Sequence, residues 1–249
     1  MRPWPEFRGS IARASRASRI PRYAVLPLIA SAALVSSAPA LAQLAGNVTL
    51  QSNQTFRGET ISRDDPGIAV ALSVDSDTGL YAGADASFAA GSGKPRFTAA
   101  NQYAGYAVKR GALSLEAGVV HRNYGSMFDT AYRKQFFEFY AGASFRRIRL
   151  RAYVSPDYLI DGRTTYYIDA SAGLATISRW RIDGHAGLSL IPPDLTERQG
   201  YLRTYADWSL RASRPLGRFT FSAAVTATNY PVFSPSGKAR FSASLSRAF

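Results

Sequence analysis

The chain contains no cysteine and only two histidines, His121 and His185. A disulfide framework and a thiolate metal site are therefore excluded, and two histidines are too few for a histidine-built metal centre. Absence of cysteine leaves the compartment open. No phosphate-binding glycine loop, zinc-ligand spacing or EF-hand pattern occurs, so neither a cofactor nor a metal is expected. The net charge of +13 first suggests a nucleic-acid or membrane-surface partner, but there is no run of five like charges, and no nucleic-acid partner is expected. After residue 42 no apolar stretch approaches 18 residues, so that part of the chain cannot cross a membrane as a helix.

What is present begins with an export signal. Residues 1–22 carry Arg2, Arg8, Arg13, Arg16, Arg19 and Arg22 against Glu6 alone. Residues 23–37, YAVLPLIASAALVSS, form an apolar run that ends in Ala38-Pro39-Ala40-Leu41-Ala42. Basic start, apolar middle and small-x-small end read as a secretory signal peptide over 1–42, with Ala40 and Ala42 setting cleavage after Ala42. A membrane anchor is the rival, but fifteen residues interrupted by Pro27 fall short of the roughly 20 needed to span a bilayer. Removal of this segment lowers the net charge from +13 to +8, since six arginines and one glutamate leave with it.

Over residues 43–249 the hydrophobic pattern has period 2. Ile68, Val70, Leu72 and Val74 share a face, as do Leu113, Leu115, Ala117 and Val119. Ile148, Leu150, Ala152 and Val154 alternate with Arg147, Arg149, Arg151 and Tyr153. Trp180, Ile182, Ala186, Leu188 and Leu190 oppose Arg181, Asp183, His185 and Ser189, and Leu202, Ala206, Trp208 and Leu210 oppose Arg203, Tyr205, Asp207 and Arg211. Such segments number about twelve, near 47–57, 67–75, 79–89, 97–109, 112–122, 136–145, 147–154, 164–174, 180–190, 200–213, 217–229 and 238–249. The segment 97–109 is the weakest, because neither of its faces is clearly apolar.

Connections alternate in length. Long ones are expected at 58–66, 90–96, 123–134, 155–163, 191–199 and 230–237, and short ones at 76–78, 110–111, 146–147, 175–179 and 214–217. This is the pattern of an up-and-down meander with two different ends, as in outer-membrane barrels. A soluble β-sandwich shares the alternation. Strand lengths of about 9–12 residues, the lack of any helical period and charges at mid-strand favour an all-β, transmembrane, antiparallel up-and-down barrel of about 12 strands. Phe56, Phe88, Phe97, Phe145, Trp180, Phe219 and Tyr230, near strand ends, suit the aromatic girdles of such a barrel.

The chain stops at KARFSASLSRAF, with Phe241, Ala243, Leu245 and Phe249 on one face. A last strand ending in Phe resembles the signal read by the barrel-assembly machinery, with Phe241, Leu245 and Phe249 as its residues. Arg247 stands where an apolar residue is usual; near the membrane surface a snorkelling arginine is cheap.

Residues 47–87 contain an opening strand, Phe56-Arg57-Gly58, a loop reaching Pro66, a second strand and Gly79-Leu80-Tyr81-Ala82-Gly83. In this segment the chain resembles the TorF family of proteobacterial outer-membrane porins, although Ser52-Asn53-Gln54 stands where an acidic residue is expected before aromatic-Arg-Gly. The resemblance implies a pore in a Gram-negative outer membrane.

The polar face carries Asp85, Glu116, Glu138, Asp169, Asp183 and Asp207, with Arg147, Arg149, Arg151, Arg181, Arg203, Arg211 and Arg240, and His185 beside Asp183. Opposed charges in a lumen restrict the passing solute; the same charges can instead form a salt-bridge lattice that fills the barrel. The function expected is a porin-like channel for passive diffusion of small polar or ionic solutes, leaning to anions through the Arg147-Arg149-Arg151 row. Its partners are outer-membrane lipid, the assembly machinery and those solutes. The alternatives are a non-conducting structural or surface-binding barrel and an outer-membrane hydrolase. A hydrolase needs a Ser–His pair. His121, with Asn123 and Ser126 near it, falls on the apolar parity at a strand end, so no catalytic residue is expected. Asp64-Asp65 and the stretch from Asp157 to Asp161 offer at most a weak divalent-ion site and suit solvated turns.

Overall fold

The computed structural model describes residues 43–91, 93–125, 135–158, 164–190, 204–229 and 239–249. The signal segment with Ala40 and Ala42, and Ser126, Asp161, Arg203 and Tyr230, lie outside the described residues.

The period-2 segments form strands β1 (Gln43–Gln51), β4 (Gly67–Asp75), β5 (Leu80–Gly91), β6 (Lys94–Arg110), β7 (Leu113–Tyr124), β8 (Gln135–Phe145), β9 (Ile148–Ser155), β10 (Thr165–Ile177), β11 (Trp180–Leu190), β12 (Thr204–Leu216), β13 (Phe219–Thr228) and β14 (Arg240–Ala248). Two short strands, β2 (Thr55–Phe56) and β3 (Glu59–Thr60), form a separate hairpin. The twelve long strands make one closed antiparallel barrel. β1 closes it, pairing with β4 from Gln43↔Asp75 to Gln51↔Gly67 and with β14 from Asn47↔Ala248 to Gln51↔Ser244. Closure leaves the wall without an unpaired edge.

Alternation sorts the side chains. Leu72, Leu115, Phe139, Ile148, Leu150, Ile168, Trp208 and Leu210 lie on the outer face, each between 40 and 60% exposed. An exposed apolar belt of this extent is what lipid covers. β6 is the longest strand at 17 residues, although its sequence signal is the faintest. Its lumen face carries Ala99, Asn101 and Tyr103, and its outer face mixes Ala104 and Tyr106 with Gln102, so the alternation is one of size more than of polarity.

The five turns at one end are short: 76–79, 111–112, 146–147, 178–179 and 217–218. Left-handed residues make these reversals, among them Gly79, Gly111 and Gly217 and, at higher steric cost, Arg146 and Ser178. At the other end the connections are long except one. The expected loop over 90–96 is mostly strand, with β5 and β6 paired out to Gly91↔Lys94. A bulge between Ser87 and Phe88 resets the register, and left-handed Gly93 supplies the turn.

The first strand is also corrected. It runs from 43 to 51, not from 47 to 57, and residues 52–66 leave the wall. At its other end, Gly46 exchanges backbone hydrogen bonds with Phe249 at 2.9 and 3.0 Å. A Cβ on Gly46 would lie 2.3 Å from the Phe249 ring, so glycine lets the last residue lie against β1. Phe241, Leu245 and Phe249 all face outward on β14 or just past it.

Candidate functional site in the barrel lumen

The connection between β1 and β4 folds into the barrel. Phe56 pairs with Glu59, and the two residues between them, Arg57 and Gly58, both have positive φ, 47° and 81°. This is the two-residue hairpin turn usually built from Asn-Gly. An arginine in the left-handed region costs roughly 1–2 kcal/mol, so its contacts must hold it there.

Those contacts span the lumen. Arg57 Nη2 donates to Glu138 Oε1 of β8 at 2.5 Å, and Arg122 Nε of β7 donates to Glu138 Oε2 at 2.6 Å. The Arg57 guanidinium carbon lies 3.8 Å from the Tyr167 ring centroid, with Phe56 at 4.8 Å and Tyr158 at 5.1 Å. On the far side a Cβ added to Gly58 would come within 2.7 Å of Thr228 Cβ and 2.9 Å of the Ala227 carbonyl. The tip therefore bridges from β8 to β13. Glu138 is 1% exposed, and two guanidiniums satisfy it. Burial opposes the charge on Arg57, but the Glu138 carboxylate outweighs it, and the Arg57 pKa is raised well above the usual arginine range.

The hairpin stands on a polar base. Asn53 Oδ1 accepts from Thr60 Oγ1 and Ser62 Oγ, and Thr98 Oγ1 of β6 donates to Gln54 Oε1 at 2.6 Å. Asp65 pairs with Arg96, and Asp64 pairs with Arg240 of β14. Asp64 and Asp65 are thus tethers, not free turn acids. Ile61, Ala99, Tyr124, Phe136 and Tyr158 form an apolar core beneath the hairpin, with Phe56 packed against it. Phe56 is consequently part of this core and not of the outer girdle, whereas Phe88, Phe145 and Phe219 are exposed on the outer face.

Toward the short-turn end the lumen opens into two cavities. One, of about 770 Å³, is lined by Arg147, Arg149, Arg181 and Arg211 with Asp183 and His185. The other, of about 480 Å³, is lined on its acidic side by Asp75, Asp85 and Glu116 and also receives Arg122 and Arg151. Arg151 holds Glu116 through two bonds, Nε to Oε1 at 2.6 Å and Nη2 to Oε2 at 2.8 Å. Asn101 Nδ2 donates to Asp85 at 2.8 Å. His185 Nε2 lies 3.0 Å from Asp207 Oδ1, the Tyr167 hydroxyl donates to the same carboxylate at 3.1 Å, and Ser171 Oγ is 3.5 Å from His185 Nδ1. Asp169 lies near Arg149 and Arg151, and its Oδ1 accepts no hydrogen bond among the described residues.

The sequence-derived candidates thus divide. Asp85, Glu116, Arg147, Arg149, Arg151, Arg181, Asp183, His185 and Arg211 line the two cavities. Glu138 and Asp207 point inward but are covered, Glu138 by the hairpin tip. His121 faces out, where it bonds Gln102 and lies 4.6 Å from the Phe137 ring, away from these cavities. Sequence reading missed Arg57, Arg122, Asn53 and Gln54. The two-residue Arg57-Gly58 reversal between Phe56 and Glu59 was the available signal; its Arg in place of Asn hid it. Among the described residues no group of three or more acidic or histidine side chains is arranged to hold a metal ion.

A family model for Gcw_chp, described as a bacterial protein of unknown function, matches residues 36–248. The chain belongs to the Gcw_chp family. The match establishes this family and does not test the TorF resemblance. No curated protein sequence matches this Gcw_chp member significantly. Among solved structures its barrel is similar to the KdgM porin, with a TM-score of 0.51 and 10% identity over 82% of this chain and 99% of that one. It is equally similar to the NanC porin, with a TM-score of 0.51 and 10% identity over 83% of this chain and 99% of that one. At such identity the likeness is one of fold: this Gcw_chp protein has a closed β-barrel similar to those of the two porins.

Proposed function

We propose that this protein is an outer-membrane channel for passive diffusion of small polar or ionic solutes, leaning slightly to anions. The observation that carries the reading is the lumen itself. An arginine wall on β9, β11 and β12 faces an acidic wall on β4, β5 and β7, below a hairpin that narrows the passage. Opposed charged walls hold a transverse field that orders water and selects small solutes. The exposed apolar belt supports outer-membrane lipid as its surroundings, and the amino-terminal signal and terminal phenylalanine support export and delivery by the barrel-assembly machinery. Short turns then face the periplasm and the long loops face outward.

A second reading has its own observation. Because the hairpin reaches both β8 and β13 and rests on an apolar core, the barrel could be a filled, structural one. Single-channel recording in a planar bilayer under a salt gradient separates the two. Discrete steps with a reversal potential displaced to the anion side support the channel. A folded barrel without steps supports the structural reading.

A further inference from the structure

The larger cavity has the form of a trough. Its floor is β10, which presents Ser171, Gly173 and Thr176. One bank is β9 with the turn before it, where Arg149 stands opposite Ser171 in the register and Arg147, in the turn, lies against Gly173. The other bank is β11 and β12, where Arg181 is opposite Thr176, and Asp183 and Arg211 are opposite each other. A Cβ added to Gly173 would meet nothing nearer than 3.7 Å, so the floor is open. His185 stands at the inner end, beside Ser171.

The charge in this trough is one-sided. Asp183 is engaged by Arg181 Nε at 2.9 Å, and Asp207 is committed to His185 and Tyr167. The side chains of Arg147, Arg149 and Arg211 make no salt bridge or hydrogen bond among the described residues, although Asp169 and Glu116 feel the charge of Arg149. This differs from the rest of the lumen, where Arg57, Arg122 and Arg151 each have a carboxylate. The guanidiniums of Arg147, Arg149, Arg181 and Arg211 about a small-residue floor outnumber the two carboxylates nearby, Asp183 and Asp169, and a ligand of opposite charge relieves the remaining repulsion. Guanidinium forks match planar carboxylates and phosphates. The short turns and adjoining strand ends around the same mouth add Lys109, Arg110, Arg146, Arg179 and Arg218 against Asp75 and Asp77, an excess that attracts anions from the short-turn side.

We propose that this trough is a saturable binding site for a small soluble polyanion, one carrying two or more carboxylate or phosphate groups that bridge the Arg147–Arg149 bank and the Arg211 bank. The inference rests on the lumen being water-filled at this end, as the channel reading requires, and it adds a residence site to mere charge selectivity. The anion enters from the short-turn side and displaces water only, so no covalent step is involved.

Calorimetry on the full gene product purified from outer membranes tests it, with citrate and pyrophosphate as probes and sucrose as the neutral control. Saturable binding of both anions but not of sucrose is expected, weakening as salt rises. In Arg149→Gln/Arg211→Gln the dissociation constant should rise about tenfold or more, because charge-assisted bonds are lost. Gly173→Leu should abolish binding without changing any charge, by filling the floor. Heat-modifiable migration checks that each variant is folded; should the leucine variant not fold, the arginine pair decides alone. Absence of saturable binding, equal binding of sucrose, or unchanged affinity in the folded variants overturns the site. Because binding is read without current, a barrel that binds but does not conduct rejects the channel reading only, and one that conducts without binding rejects this site only.

Discussion

Replacing Glu138 by Gln removes the one anion between Arg57 and Arg122, whose side chains are 6% and 16% exposed. The shape of the site is kept, but two guanidiniums are left facing an amide. Leaving a buried charge without its partner costs about 3–5 kcal/mol. At about 1.4 kcal/mol per factor of ten, this lowers the population of the inserted tip relative to a withdrawn one by roughly 10²-fold or more. The left-handed strain at Arg57, φ 47°, acts in the same sense. The base stays in place, because Asp64–Arg240, Asp65–Arg96 and Gln54–Thr98 do not involve Glu138. Arg57→Ala should do no more. Glu138 keeps Arg122, so the loss is about 1.5–3 kcal/mol for a charge-assisted bond and about 0.5–2 kcal/mol for the stacking on Tyr167. Single-channel recording should therefore show larger and noisier steps in both variants than in the parent, with Arg57→Ala not exceeding Glu138→Gln. The double variant should fall short of additivity, since both changes remove one interaction. Conductance in a folded Glu138→Gln barrel equal to that of the parent would refute the hairpin as the constriction.

Arg147→Gln/Arg149→Gln should move the reversal potential in a salt gradient toward the cation side, and a shift in the opposite direction counts against the arginine wall as the source of selectivity. Trp208 is 47% exposed on the outer face, so brominated lipid should quench its fluorescence, and lack of quenching would deny that this face meets the bilayer. Gly46→Val places a side chain where the Phe249 ring lies, 2.3 Å from its Cβ, and should destabilise the β1–β14 closure by about 1–3 kcal/mol. Its signature is a lower temperature for loss of the heat-modifiable form; an unchanged temperature would show that the ring moves away freely.

The wall was legible because an apolar outer face and a polar inner one impose strict alternation, and Leu113-Ser114-Leu115-Glu116-Ala117 admits one reading. β6 was faint because alanine, glycine and tyrosine serve both faces. The 90–96 loop misled because a Pro and four small or glycine residues look like a long turn, whereas one left-handed Gly93 suffices. The hairpin was opaque for a different reason. Thr55-Phe56 and Glu59-Thr60 resemble further strand, and the one local sign of a reversal, Arg57-Gly58, does not say that the chain turns into the barrel. What turns it inward is long-range: Glu138 is 81 residues away from Arg57, and Arg240 is 176 from Asp64. For the same reason Glu138 was legible as an inward charge but not as one covered by another element. The positions of Arg149 and Arg211 on opposite banks likewise depend on register, which alternation alone does not supply.

The most direct test of the central claim is single-channel current from the full gene product, purified from outer membranes and placed in a planar bilayer, beside a variant lacking residues 53–63. A channel narrowed by an inward hairpin predicts small discrete steps with an anion-side reversal potential, and larger steps once the hairpin is gone. Two folded barrels that both carry no current would contradict it.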